Sequence, residues 1–304
     1  MHSFDDSARK VVLDFYALLR CEVTAIDSCL CRSDFESLRS HYPVMMTPRR
    51  HPIELAATIY AERRQHPVAA TLATESAVVF DAGCGYGSES FLFASLGARV
   101  IAVDVDAEKI RIARLRQPHY EDAFKRKLDI EFQVADLDAY VPESKNLSLT
   151  WLASVLAAIP NQDRFLRRVF DTTRPGGSIM VSDMNLWNPL FLWSEWRRRE
   201  RAKRANTTFA WQADFGAMFN RRGRVGARYF QNGVGSTFDD VQFFSSVTLG
   251  RLLRQVGFRS IQFHFSGFIP PFLARLGLTR LETILARFPL LARFGYFYLE
   301  TGVK

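Results

Sequence analysis

The sequence predicts an α/β protein built on a doubly wound, seven-stranded and mostly parallel sheet. From residue 77 onward, short apolar runs alternate with amphipathic stretches of about ten residues, the pattern of parallel strands joined by helices. A glycine-rich turn follows the first of these runs directly. The chain has 304 residues, of which 48% are apolar and 24% charged. This is an ordinary globular composition, and it excludes a disordered, collagen-like or disulfide-scaffold protein.

The chain before the alternating pattern is predicted to be a helical N-terminal extension, residues 1–70. Apolar residues recur there at helical spacing, and residues 53–64 form a second amphipathic run. Residues 71–186 are predicted to be the core of the sheet, with helices at 88–96, 107–116 and 161–173. The five strands of this core are predicted within AVVFDAGCGYG, RVIAVDVD, IEFQVADLD, LSLTWLASVL and SIMVSDMN.

The rhythm of strands and helices stops after the fifth strand. Residues 187–245 are predicted to be an insertion that covers the ligand crevice. Residues 246–304 then complete the sheet with helices at 247–256 and 279–287 and with strands in RSIQFHFSGF and YFYLETGVK. We call residues 193–228 the basic segment, because ten basic residues face only three acidic ones there, a net charge of +7 out of +8 for the chain.

The first strand runs into the pattern D-x-G-x-G-x-G, from Asp81 to Gly87. Glycine lets the backbone turn sharply and approach a ligand where a Cβ atom would collide. A dinucleotide site would have its third small residue one position later, at Ser88, so the glycine spacing is shifted by one residue from that of an NAD site. Because Ser88 is itself small, the spacing alone leaves the dinucleotide alternative open.

Four features in order resemble the class I S-adenosylmethionine (SAM)-dependent methyltransferases, in particular those of types 11 and 12. They are the loop FDAGCGYG, Asp104 at the end of RVIAVD, the Ala135–Asp136–Leu137 run after the third strand, and the RPGGSIMVSD turn into the fifth strand. The resemblance covers about residues 77–185 by motif. It extends to 247–304 by topology.

The resemblance implies SAM as cofactor and S-adenosylhomocysteine as product. It implies that the glycine loop holds the methionine part, that Asp104 accepts hydrogen bonds from the ribose hydroxyls, and that Asp136 meets the adenine amino group. From the residues alone, Asp106 and Asp138 remain alternatives to Asp104 and Asp136. The cofactor-binding residues expected are Asp81, Gly83, Cys84, Gly85, Tyr86, Gly87, Asp104, Val105, Ala135, Asp136, Leu137 and Ser154.

The sequence assigns no catalytic residue. Many small-molecule methyltransferases of this family carry a His after the fourth strand, but here Ser154 is followed by VLAAIP. Asp183 and His264 are the candidates for acid–base work, each with a structural alternative. Tyr42, Asn185 and Trp187 are candidate substrate contacts, and His51 lies in the same early region as Tyr42. No metal site is expected, and the closely spaced Cys29 and Cys31 are read as buried thiols.

The acceptor is expected to be a small molecule or a lipid- or glycan-like metabolite, methylated at oxygen. The basic segment and its flanking tryptophans also suit an anionic membrane surface, RNA or simply solvent. Base-methylating enzymes often show N/D-P-P-Y/F after the fourth strand, and its absence here disfavours nucleic acid. RNA or protein methylation, or SAM binding without turnover, are the alternatives. A cytoplasmic location is expected, and the oligomeric state is not predicted.

Overall fold

The structure is a computed structural model. It describes residues 2–24, 30–42, 52–140, 142, 146–185, 188, 246–269, 275–278, 280–286 and 295–304. Nearly all of the predicted insertion, with the basic segment, therefore lies outside the described residues.

Seven strands form one sheet in the order β3-β2-β1-β4-β5-β7-β6, which confirms the predicted fold class. Strand β7 is antiparallel to β5 and β6, and the other neighbouring strands run parallel. The strand order reverses direction between β1 and β4, so a crevice opens beyond their carboxyl ends. The strands are β1 (Val78–Ala82), β2 (Arg99–Asp104), β3 (Ile130–Val134), β4 (Leu147–Ala153), β5 (Thr173–Met184), β6 (Arg259–Ser266) and β7 (Phe297–Val303).

Eight α-helices are described, and they cover both faces of the sheet. The helices are α1 (His2–Thr24), α2 (Arg32–His41), α3 (Ile53–Leu72), α4 (Ser88–Ser95), α5 (Ala107–Phe124), α6 (Gln162–Thr172), α7 (Ser246–Val256) and α8 (Arg280–Ala286). One apolar core joins α1, α3, α4 and α5 to one face, and a second core joins α6 and α7 to the other. None of the described helices is both long and apolar enough to cross a bilayer.

Helix α5 is longer than predicted, because the expected end near residue 116 falls in its middle. The helix begins where the Asp106 carboxylate accepts hydrogen bonds from two backbone N–H groups of the first turn. Its last two turns are held by tertiary packing, since the rings of Tyr120 and Phe124 stack on Phe15 of α1. Such contacts between distant segments outweigh the cost of Pro118 inside the helix.

Arg116 of α5 is fully buried and joins α1 to the loop after β1. Its guanidinium donates to both carboxylate oxygens of Glu22, at 2.7 and 2.6 Å. It also donates to the carbonyl of Tyr86 and to the Ser88 hydroxyl, and Tyr120 donates to Glu22 at 2.6 Å. Burial is the largest influence and alone would raise the pKa of Glu22, but the hydrogen bonds from Arg116 and Tyr120 and the charge of Arg116 together lower it below its ordinary value.

We expect Glu22→Gln to lower the free energy of unfolding by about 3–5 kcal/mol, because it leaves the buried Arg116 charge without its counter-ion. Denaturant titration measures the change. Because the pKa of Glu22 is lowered in the folded state, the difference between wild type and variant should be full at neutral pH and should shrink as the pH falls below 4.5.

The matched control is Glu36→Gln, which removes an exposed carboxylate paired with Arg39 on α2. It should change stability by less than about 1 kcal/mol. Equal effects of the two substitutions would contradict the role given to Arg116.

Candidate active site

The carboxyl ends of β1, β2, β3 and β4 bring four loops to one edge of the sheet. The glycine loop, residues 83–87, follows β1. The ends of β2 and β3 contribute the segments after Asp104 and Val134, and Ser154 follows β4. All the predicted cofactor-binding residues lie at this edge.

The glycine loop needs glycine for two different reasons. Gly83, Gly85 and Gly87 all have positive φ, of 77°, 55° and 78°. A Cβ atom on Gly83 would lie 2.3 Å from Val155, and one on Gly87 would lie 2.9 Å from the ring of Phe132. A Cβ atom on Gly85 would meet nothing within 4 Å among the described residues. Packing therefore requires the outer two glycines, whereas Gly85 presents open space to a ligand.

Asp104 connects the glycine loop to the end of β2. Its side chain is buried, and its carboxylate accepts hydrogen bonds from the N–H of Gly85 at 2.8 Å and of Asp106 at 2.9 Å, one on each oxygen. A carboxylate has about four acceptor positions, so each oxygen keeps one for a hydroxyl group. Two free acceptor positions beside the open Gly85 fit a ribose diol, and Asp106 instead caps α5.

Asp81 lies beneath the loop. Its side chain is buried and accepts a hydrogen bond from the Ser90 hydroxyl at 2.6 Å. Burial, with the nearby charge of Glu89, raises the pKa of Asp81 to about 8. The carboxyl therefore holds its proton at neutral pH and adds little negative charge below the crevice.

The end of β3 is drawn next to Asp104, because the N–H of Ala135 donates to the Asp104 carbonyl at 3.1 Å. Asp136 is exposed, and its carboxylate accepts from the N–H of Asp138 at 2.8 Å. Leu137 is buried. Asp136 is thus more exposed than Asp138 at this end of β3, and it lies beside a buried apolar side chain.

After β4, Ser154 adopts a positive φ of 58°, and its N–H donates to the carbonyl of Ser182 at 2.8 Å. This bond fixes the turn so that Val155 packs against Gly83. Val105 is exposed at the end of β2, while Cys84 and Tyr86 are buried. Burial raises the pKa of the Cys84 thiol, so it is no thiolate at neutral pH.

Tyr42 reaches the start of α4, where its hydroxyl and that of Ser88 lie 2.5 Å apart. Burial raises the pKa of Tyr42 to about 12. The phenol is thus neutral and contacts the helix beneath the glycine loop. His51 and Trp187 lie outside the described residues.

The two candidate acid–base residues lie apart, Asp183 at the carboxyl end of β5 next to β4 and His264 in the edge strand β6. Asp183 of β5 is buried, accepts from the N–H of Met184, and has a pKa that burial raises to about 7. His264 of β6 stacks on His66 of α3, with ring centres 3.8 Å apart. Asn185, for which a strand-end role is the alternative to a substrate contact, has a buried amide that donates to the carbonyl of Gly295.

Residues 73–223 match the model of a family described as a methyltransferase domain. This match agrees with the strand order and with the glycine loop and Asp104. The chain belongs to the class I SAM-dependent methyltransferases. The cofactor of that family is SAM, and the open Gly85 and the two free acceptor positions of Asp104 fit it.

Two curated relatives of this methyltransferase share part of its length. A ubiquinone biosynthesis O-methyltransferase from Xanthomonas campestris is 28% identical over 119 residues, which are 39% of this chain and 47% of the relative. A mitochondrial one from Mus musculus is 30% identical over 110 residues, 35% of this chain and 28% of the relative. The chain thus spans less than half the length of these relatives.

Among solved structures, a SAM-dependent methyltransferase from Methanosarcina mazei matches with a TM-score of 0.49 and 18% identity. The match covers 76% of this chain and 94% of the other.

Two alanine substitutions in the glycine loop should differ in whether stability or SAM binding suffers more. Gly83→Ala should lower the free energy of unfolding by about 2–4 kcal/mol, because the new Cβ atom collides with Val155 and the residue keeps a positive φ. Gly85→Ala should cost only about 1–2 kcal/mol of stability but should weaken SAM binding, because its Cβ atom enters the open space. Thermal unfolding and calorimetric SAM titration separate the two effects, and unchanged SAM affinity in Gly85→Ala would contradict the assignment of that space.

Asp104→Ala should weaken SAM binding by about 1.5–3 kcal/mol, the range of hydrogen bonds to a charged group. Calorimetry measures the affinity. The control, Asp129→Ala, removes an exposed carboxylate beside the opposite end of β3. It should leave the SAM affinity unchanged. An unaltered SAM affinity in Asp104→Ala would contradict the assignment of Asp104 to the ribose hydroxyls.

Proposed function

We propose that this protein transfers the methyl group of SAM to an oxygen atom of a small-molecule, lipid-like or glycan-like metabolite. The observation that carries the proposal is the pairing of a buried Asp104, with two free acceptor positions, and the open backbone at Gly85. Both lie at the switch point of the sheet, where open α/β proteins bind their ligands.

In this reaction a lone pair of the acceptor oxygen forms a bond to the methyl carbon while the carbon–sulfur bond breaks. The bonding electrons stay on sulfur, which gives neutral S-adenosylhomocysteine, and the acceptor proton leaves to a base or to water. Holding the two reacting atoms close together supplies much of such an acceleration. The loop from Ser154 to Pro160 has no side chain that takes up a proton at neutral pH.

The choice of oxygen and of a metabolite is supported by the curated relatives, which are named ubiquinone biosynthesis O-methyltransferases. The shared 119 residues cover 39% of this chain, so they support the chemistry more than the identity of the acceptor.

The net charge of the basic segment supports a second candidate, methylation of RNA or protein. The same positive charge would also support binding of the protein to the surface of an anionic membrane. The protein would then reach the membrane from the cytoplasm. SAM binding without turnover is a third reading, because no base is assigned.

The test is to incubate the protein with radiolabelled SAM and a cell extract, and then to separate lipids, small metabolites, RNA and protein. We expect label in the lipid or small-metabolite fraction, in a bond that resists mild base as an ether does. Asp104→Ala should reduce the label at limiting SAM and regain much of it at saturating SAM.

Label in RNA or protein instead would overturn the acceptor class and assign the basic segment to polymer binding. Measurable SAM binding with no label in any fraction would overturn catalysis.

A further inference from the structure

Arg63 of α3 is fixed at the carboxyl end of β5 by two contacts. Its Nε donates to the hydroxyl of Ser182 at 2.9 Å. Its guanidinium carbon lies 4.2 Å from the centre of the Phe297 ring at the start of β7. One edge and one face of the guanidinium are therefore held by the protein.

The two terminal nitrogens of this guanidinium have no hydrogen-bond or ion-pair partner among the described residues. The neighbouring Arg64 is different, since it forms an ion pair with Glu89 of α4. Arg63 is neither fully buried nor fully exposed, so part of the residue can be reached by a ligand.

Nearby charges leave the Arg63 cation largely uncompensated. The Glu89 carboxylate is taken by Arg64. Asp183 follows Ser182 in β5, so its side chain points to the opposite face of the sheet; its charge acts on Arg63 at a distance, without an ion pair between the two among the described residues. Burial, and then the charge of Arg64, lowers the pKa of Arg63 to about 9, which still leaves it charged at neutral pH. An unpaired cation in such a place is costly, and an anionic ligand would remove the cost.

The free edge of Arg63 lies beside the crevice. The hydroxyl of Ser182 contacts Arg63, and the carbonyl of the same residue accepts from the N–H of Ser154 at 2.8 Å. Ser154 ends β4, which pairs with β1 and its glycine loop. A group bound by Arg63 at the end of β5 therefore lies one strand away from the loop that follows β4.

The geometry points to Arg63 as the binding site for an acidic group of the acceptor, a carboxylate or a phosphate, held by two parallel hydrogen bonds from its terminal nitrogens. The planar guanidinium presents two N–H donors at the spacing of two oxygens of such a group. The inference rests on the proposed function and narrows its acceptor to an anion. Phe297, which stacks on Arg63, keeps the guanidinium plane fixed for this pairing.

The test is calorimetric titration of the protein without SAM, using inorganic phosphate and benzoate as probes. Wild type should bind at least one of them, and Arg63→Gln should weaken that binding at least tenfold. Arg63→Lys should bind more weakly than wild type, because a lysine keeps the charge but loses the two-point geometry. Ser182→Ala, which removes the Nε anchor, should give an intermediate loss.

The matched control is Arg251→Gln, which removes one exposed arginine of α7, on the other face of the sheet. It should bind both probes as wild type does. Equal binding by Arg63→Gln and Arg251→Gln, or no binding of either probe by wild type, would overturn the inference.

Sedimentation with vesicles separates the two sources of the anion. Loss of binding to phosphatidylglycerol vesicles in Arg63→Gln, but not in Arg251→Gln, assigns the acidic group to a lipid headgroup. Equal sedimentation of the two variants, with the loss of phosphate or benzoate binding in Arg63→Gln, assigns it to a free acceptor.

SAM affinity is measured on the same variants and should be unchanged in Arg63→Gln. Because the anion titrations contain no SAM, a failure of the protein to bind SAM or to transfer methyl groups would be seen separately from a failure of Arg63.

Discussion

The buried guanidinium of Arg116 is the interaction on which the site depends. It joins Glu22 of the N-terminal helix to the carbonyl of Tyr86 and to Ser88, just where the glycine loop turns into α4. The loop has three residues with positive φ and one internal backbone hydrogen bond, from the N–H of Gly87 to the carbonyl of Cys84. Its other contacts come from outside: Arg116 holds one end, Asp104 the centre, and the carbonyl of Val103 in β2 the start.

Charge is distributed unevenly around the crevice. Asp81 beneath the loop has a raised pKa and holds its proton, while the Arg64–Glu89 pair is internally neutral. Among the described residues, the carboxylates of Asp104 and Asp136 lie on the cofactor side, and the Arg63 guanidinium lies near β5. The crevice is thus negative on the cofactor side and positive on the side where the proposed anionic acceptor would bind.

The sequence predicted the parts of this arrangement that depend on local patterns. The strand–loop–helix pattern placed the glycine loop and Asp104 correctly at one sheet edge, because the period of side chains and the position of glycines are local properties. The Glu22–Arg116 pair was missed, since its partners are 94 residues apart. A signal existed, because Arg116 falls on the apolar stripe that Ile112 and Tyr120 define in α5.

Arg63 was missed for a related reason. It lies in the helical run predicted at residues 53–64, and its contacts with Ser182 and Phe297 depend on how that helix packs on β5 and β7. The roles assigned to Asp136, Asp183 and His264 remain predictions, since each depends on where a ligand lies. Asn185 shows the same limit, because its amide bonds to a residue 110 positions later.

The position of β7 between β5 and β6 has a consequence for how the chain is made. Strand β6 is synthesised before β7, and β7 is its one hydrogen-bonded neighbour among the described strands. During translation β6 therefore lacks this neighbour until β7 has emerged. During that interval the unpaired edge of β6 could form hydrogen bonds with another chain or with a wrong strand. The sheet is completed late, because its last strand pairs involve residues that are distant in sequence. Ribosome-bound chains that stop before β7 would carry the glycine loop and Asp104 while the far side of the crevice is still unformed.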